Sequence, residues 1–268
     1  MTTTKHRMRA PRSRLRQGGV TLIELLVTVI IALFLLAGVG YMLQNTRRAY
    51  TNQNQLQQLQ DSERLAMTLL ADVIQNAGYF PDPTQNTVDT ALPAVAGTWA
   101  QEQAISGAAQ TAPAPGDAIT VRYMTTGGDG VLNCLGGSNT QAAGTTITYV
   151  NQFYLTAPDA SGSSTLQCKL TDGAGTAIGT PQDLVTGLTN MQIWFGMKKG
   201  GAAGDNSVDT YMRPSEVAAI DDPDWQKVTS VRIQLTFQNP LAAPSAPAAQ
   251  KTINFERVIA VMNRAGVT

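Results

Sequence analysis

Residues 20–43 hold one charged side chain, Glu24, in 24 positions. As a helix rising about 1.5 Å per residue, this stretch reaches roughly 36 Å. That crosses a hydrocarbon core of about 30 Å with some tilt. The 19 residues before it are basic: Lys5, Arg7, Arg9, Arg12, Arg14 and Arg16 occur there without an Asp or Glu. A Lys/Arg cluster flanking a span stays on the cytoplasmic side. The reading is therefore one membrane anchor, with everything after residue 43 sent across and Arg47 and Arg48 meeting the far headgroups. At 268 residues, the chain has room for this anchor and one globular domain of ordinary size.

The charge distribution argues the same way. The formal total is zero, from 19 basic and 19 acidic residues, but six of the basic ones lie in the leader. Residues 20–268 carry the remaining 13 against 19, a balance of −6. No basic surface for nucleic acid is expected beyond the leader, and a basic block touching an apolar run reads as a topology signal.

Glu24 needs an explanation. An acid at the centre of a membrane helix costs about 2.5–3.5 kcal/mol on insertion scales, and less near the end. The spacing Thr21-x-x-Glu24 fits a capping box, yet a cap does not account for a carboxylate with apolar residues on both sides. No A-x-A-like signal-peptidase site follows the run between Gly40 and Arg48, whereas Gly18-Gly19 precedes it. The stretch Gly19-Val20-Thr21-Leu22-Ile23-Glu24 closely resembles the type IV prepilin processing motif, which usually has Phe where this chain has Val20. The resemblance implies cleavage between Gly19 and Val20 by a membrane prepilin peptidase and methylation of the new Val20 amine. It also implies that Glu24, then the fifth residue, pairs with the free N-terminal amine of a neighbouring subunit. Opposite charges about 4 Å apart at an effective dielectric near 20 attract by roughly 4 kcal/mol, and only when a neighbour is docked.

Helical periodicity continues past the span. Leu56, Leu59, Ala66, Leu70, Val73 and Ala77 recur at three- and four-residue steps with Glu63 in the polar slot, and Leu65, Leu69 and Ile74 widen the stripe. No proline interrupts residues 20–80, so one helix of about 55–60 residues is expected. Gly38 and Gly40 are its weak points, and Gly78-Tyr79-Phe80-Pro81 its terminator. Residues 81–118 read as loop. Strands are expected at 118–123, 145–155, 166–170, 191–195, 228–237 and 258–262. Within them Val231, Ile233, Leu235 and Phe237 alternate with Arg232, Gln234 and Thr236. Gly-rich turns are expected at 127–130, 136–144, 172–179 and 200–204, and residues 239–250 form a Pro/Ala-rich link.

Several patches are similar to the PilW group of minor pilins: Ala77-Gly78-Tyr79, residues 188–196, Trp225 with residues 228–235, and the ending 257–264. This resemblance implies an α+β fold, a long N-terminal helix packed on an antiparallel β-sheet domain. The expected division is a cleaved leader at 1–19, a helix at 20–80 with its span at 20–43, and a β-rich head at 81–268. The implied role is a structural subunit that primes or caps type IV pili. Its implied partners are other minor pilins, the major pilin, the prepilin peptidase and the inner-membrane assembly platform, with the head periplasmic and then at the cell surface. A minor pseudopilin of a type II secretion system is the alternative, and a signal-anchored periplasmic binding module or adhesin a further one.

Catalytic constellations are not found. His6, in the leader, is the single histidine, so no catalytic residue is assigned and Ser-His-Asp chemistry is excluded for the mature chain. No cofactor motif and no metal site is assigned. Asp221-Asp222-Pro223-Asp224, and Asp205, Asn206 and Asp209, read as solvated turns, with calcium binding as the alternative. The two cysteines, Cys134 and Cys168, in a domain expected to be exported, predict a disulfide, with free buried thiols as the alternative. Trp194 and Trp225 are expected in the core; Trp99 is left open as a ligand contact.

Overall fold

The computed structural model describes residues 19–198, 207–220 and 225–265. Helix α1 runs unbroken over Leu22–Gln75, 54 residues. It stays helical through Gly38 and Gly40, where nothing packs within 4 Å of the position a Cβ would take. The glycine penalty of about 1 kcal/mol each is absorbed by a cooperative helix of this length.

The chain divides into two compact units, residues 1–51 and 52–268. In the second, α1 buries Ala66, Met67, Leu70, Ala71, Val73 and Ile74 against a sheet. Five of the expected stripe residues are there, counting Ala77, but Leu65 is 49% exposed and Leu69 only half-buried. Met67 and Ala71 take their place: the buried arc lies on the other flank of the Ala66–Leu70–Val73–Ala77 row.

Gly78 ends the helix with φ +78°, a conformation that glycine adopts without Cβ strain. Its N–H donates to the Arg122 carbonyl at 3.1 Å, and the Met124 N–H donates to the Tyr79 carbonyl at 2.8 Å. The Asn263 side-chain amide donates to the Ala77 carbonyl at 3.2 Å, satisfying one of the orphan acceptors at the helix end.

After α2 (Val88–Ala91) come β1 (Ile105–Ala109), β2 (Asp117–Thr126), β3 (Thr146–Leu155), β4 (Ser164–Asp172), β5 (Gln182–Met197), β6 (Thr210–Met212), α3 (Pro214–Ala218), β7 (Val228–Gln238), β8 (Thr252–Ala260) and α4 (Met262–Ala265). Among the described residues the sheet has eight strands in the order β1-β2-β3-β4-β5-β7-β8, with β6 on β5, and every pairing is antiparallel. Residues 81–118 are thus not all loop, since they hold α2 and β1. The last strand starts at Thr252 rather than 258, and Met262 belongs to α4. On β7 the expected alternation holds, with Val231, Ile233, Leu235 and Phe237 in the core.

Strand β5 changes partner along its length. Residues 182–188 pair with β4, and residues 188–197 pair with β7. Where β4 has diverged, the Asp117 carboxylate accepts the Ile193 N–H at 2.9 Å. Asp117, 1% exposed, is itself paired with Arg213 at 2.9 Å.

Candidate processing and assembly site

Thr21 starts α1. Its hydroxyl accepts the Glu24 N–H at 3.4 Å, and its carbonyl accepts the Leu25 N–H at 3.1 Å. Only the threonine half of the capping box is made; no hydrogen bond or ion pair engages the Glu24 carboxylate among the described residues. Glu24 sits in the first helical turn, where the helix dipole favours an anion by about 0.3–1 kcal/mol. That is too little to offset its placement among apolar residues.

Every residue from Gly19 to Asn54 is exposed. The apolar side chains are bare to an unusual degree: Leu22 is 78% and Phe34 77% exposed. The helix is long and apolar enough to cross a membrane. At about 25 cal/mol per Å², a surface of this kind calls for lipid or other helices around it. Gly19 and Val20 lie ahead of the first helical residue, in non-helical backbone.

Cys134 and Cys168 lie in the second unit and are bridged, with Cα atoms 6.2 Å apart and a sequence separation of 34. Buried polar groups seat the loop that carries Cys134. Asn151 Oδ1 accepts the Cys134 N–H at 2.9 Å, and the Tyr123 hydroxyl donates to the Leu132 carbonyl at 2.6 Å. Burial raises the Tyr123 phenol well above its ordinary pKa, so it remains a donor. A closed loop of this length stabilises by roughly 3–4 kcal/mol. Replacing both cysteines with alanine is expected to lower the unfolding free energy by about that much, measured by urea titration of tryptophan fluorescence.

One tryptophan, Trp194, departs from expectation. Trp225 packs edge-on against Phe195 with ring centroids 5.0 Å apart. Trp194 is not in the core: it faces the opposite side of β5 from Ile193 and Phe195, half-buried, with Arg232 at 4.3 Å and Arg213 at 5.2 Å from its ring centroid. Trp99 is 7% exposed. Residues 205, 206 and 221–224 of the acidic clusters lie outside the described residues.

Sequence reasoning missed Arg122, 1% exposed on β2. Its guanidinium donates to the carbonyls of Pro93 at 2.9 Å, Leu92 at 3.1 Å and Ala100 at 3.0 Å, and to that of Gln103. The Trp99 ring lies 4.7 Å away. Desolvation lowers its pKa to about 10, which leaves it charged at neutral pH. In the sequence it occupies a polar position of an alternating strand, and nothing there marks it as buried.

Two family models match the chain. Residues 14–40 match the prokaryotic N-terminal methylation motif. Residues 152–264, from within β3 into α4, match the family described as type IV pilus-assembly protein W. No curated protein matches it.

Proposed function

Because this chain belongs to the PilW-type, minor-pilin-like proteins of type IV pili, we propose that it is a structural subunit that primes assembly of the pilus or caps it. The observation that carries this reading is the exposed apolar stretch 20–43, whose single carboxylate, Glu24, has no partner among the described residues. Cutting between Gly19 and Val20 removes the basic leader and creates a free amine on each subunit. Glu24 of one subunit then has a partner on the next, and the pair fixes axial register as the helices pack. Before assembly the helix is held in the inner membrane with the head in the periplasm, next to the assembly platform and the other minor and major pilins. The role needs no catalytic group.

Mass spectrometry of the protein from membranes and from sheared pili tests this. The expected mature chain begins at Val20 with a methylated amine. A chain that retains Met1 in both fractions overturns the reading. A minor pseudopilin of a type II secretion system shares the N-terminal chemistry, and recovery from sheared pili separates the two.

A further inference from the structure

On the face of the sheet opposite α1, Ser106 of β1 lies opposite Thr120 of β2, Thr120 opposite Gln152 of β3, and Gln152 opposite Lys169 of β4. This row crosses four strands, roughly 14 Å at the usual strand spacing. Thr171 stands two positions from Lys169 on the same face of β4. These five side chains line a groove of about 200 Å³, and none of the five makes a hydrogen bond to a described residue. Their neighbours on the same face do: Tyr154 donates to Gln167, which donates to Asp183.

Trp99 and Val150 supply the apolar part of the lining. Trp99 belongs to the loop that the Arg122 guanidinium fastens through four carbonyls, so one wall is held in place before anything binds. A preorganised wall lowers the ordering cost of binding.

Three hydroxyls and an amide, each able to donate and to accept, match the paired hydroxyls of a sugar ring, and Trp99, 7% exposed, adds an apolar edge to the wall. Lys169 is the single charged residue in the lining and no carboxylate faces it there, so the occupant should bring a negative charge. The volume is below the range of roughly 300–1,000 Å³ for drug-sized ligands, which restricts the occupant to one ring. We propose that this groove binds a sugar residue carrying a carboxylate, a single unit of an acidic glycan.

The groove does not depend on the pilus role, and its failure would leave that role standing. The test titrates the full-length processed protein, in detergent, with methyl glucuronide and with methyl glucoside, read by saturation-transfer NMR. Millimolar binding of the glucuronide is expected, with the glucoside weaker by about tenfold, as for loss of a charged hydrogen bond. Lys169→Met should abolish that preference, and Gln152→Leu should weaken both sugars several-fold. Lys251→Met, outside the groove, should change neither. Unchanged melting temperatures confirm that the variants are folded. Absence of glucuronide binding in the millimolar range, equal affinity for the two sugars, or an unaltered preference in Lys169→Met overturns the proposal.

Discussion

A Glu24→Ala subunit is expected to be cleaved and methylated like the wild type and yet to be recovered from sheared pili at least tenfold less. The carboxylate makes no hydrogen bond or ion pair among the described residues, so its removal leaves the helix intact. It even eases insertion, by up to the roughly 2.5–3.5 kcal/mol charged for an acid at the span centre. The loss therefore appears only between subunits, where a pair of opposite charges is worth roughly 4 kcal/mol, reduced by desolvation of both partners. Glu24→Gln should behave like Ala, because an amide cannot answer an ammonium with a charge, while Glu24→Asp should recover part of the loss. Equal amounts of Glu24→Ala and wild-type protein in pili, by quantitative immunoblot, would show that register is set elsewhere.

Arg122→Met is expected to destabilise the second unit by about 3–5 kcal/mol, because it strips several buried carbonyls of their shared donor. Four carbonyls, those of Leu92, Pro93, Ala100 and Gln103, converge on one guanidinium. Methionine replaces the stem but leaves these acceptors without donors, each costing about 1–3 kcal/mol if it stays dry. Arg122→Lys should fall between: an ammonium has three donors on a point charge and cannot span the same fork. Trp99, stacked on the guanidinium, reports the change. Its emission should shift to the red in Arg122→Met as water enters, while processing at Gly19 stays normal. A variant that unfolds at the wild-type urea midpoint would show that the loop is held by other contacts.

The helix and the long core strands were readable because burial imposes a period on them. Residues 66–77 carry the helical spacing of a half-buried helix, and residues 231–237 the alternation of a strand with one wet face. Strand β1 was not readable. Its sequence Ile-Ser-Gly-Ala-Ala has little β-branched surface, and it becomes a strand because the edge of β2 is there to pair with. Gly107 is small for a tertiary reason: a Cβ there would lie 2.5 Å from the Phe195 ring. Trp194 misled because sequence cannot say which of two alternating faces is covered. In the helix the period was right but its phase was off by one flank, which placed Leu65 inside and left Met67 out.

At the N-terminus the reverse holds. The reading of Gly19, Val20 and Glu24 rests on charge, hydropathy and order along the sequence, and residues 14–40 match the N-terminal methylation motif, while the roles proposed for the three lie outside the fold of one chain. The disulfide was legible from its count and from the expected compartment, and the structure supplied its surroundings, with Asn151 and Tyr123 seating the loop. Arg122 and the groove beside it were not, since both depend on which strands lie side by side.

The hydrogen bond from Asn263 to Ala77 spans 186 positions of sequence. In a chain made from its N-terminus, Ala77 is in place long before Asn263. Until then the helix end keeps an open carbonyl and β7 lacks its outer neighbour, β8. Completion of the sheet thus waits on residues 252–263, although α1 needs nothing beyond residue 75 to form. Closure of this contact therefore marks a head whose sheet and helix end are both complete.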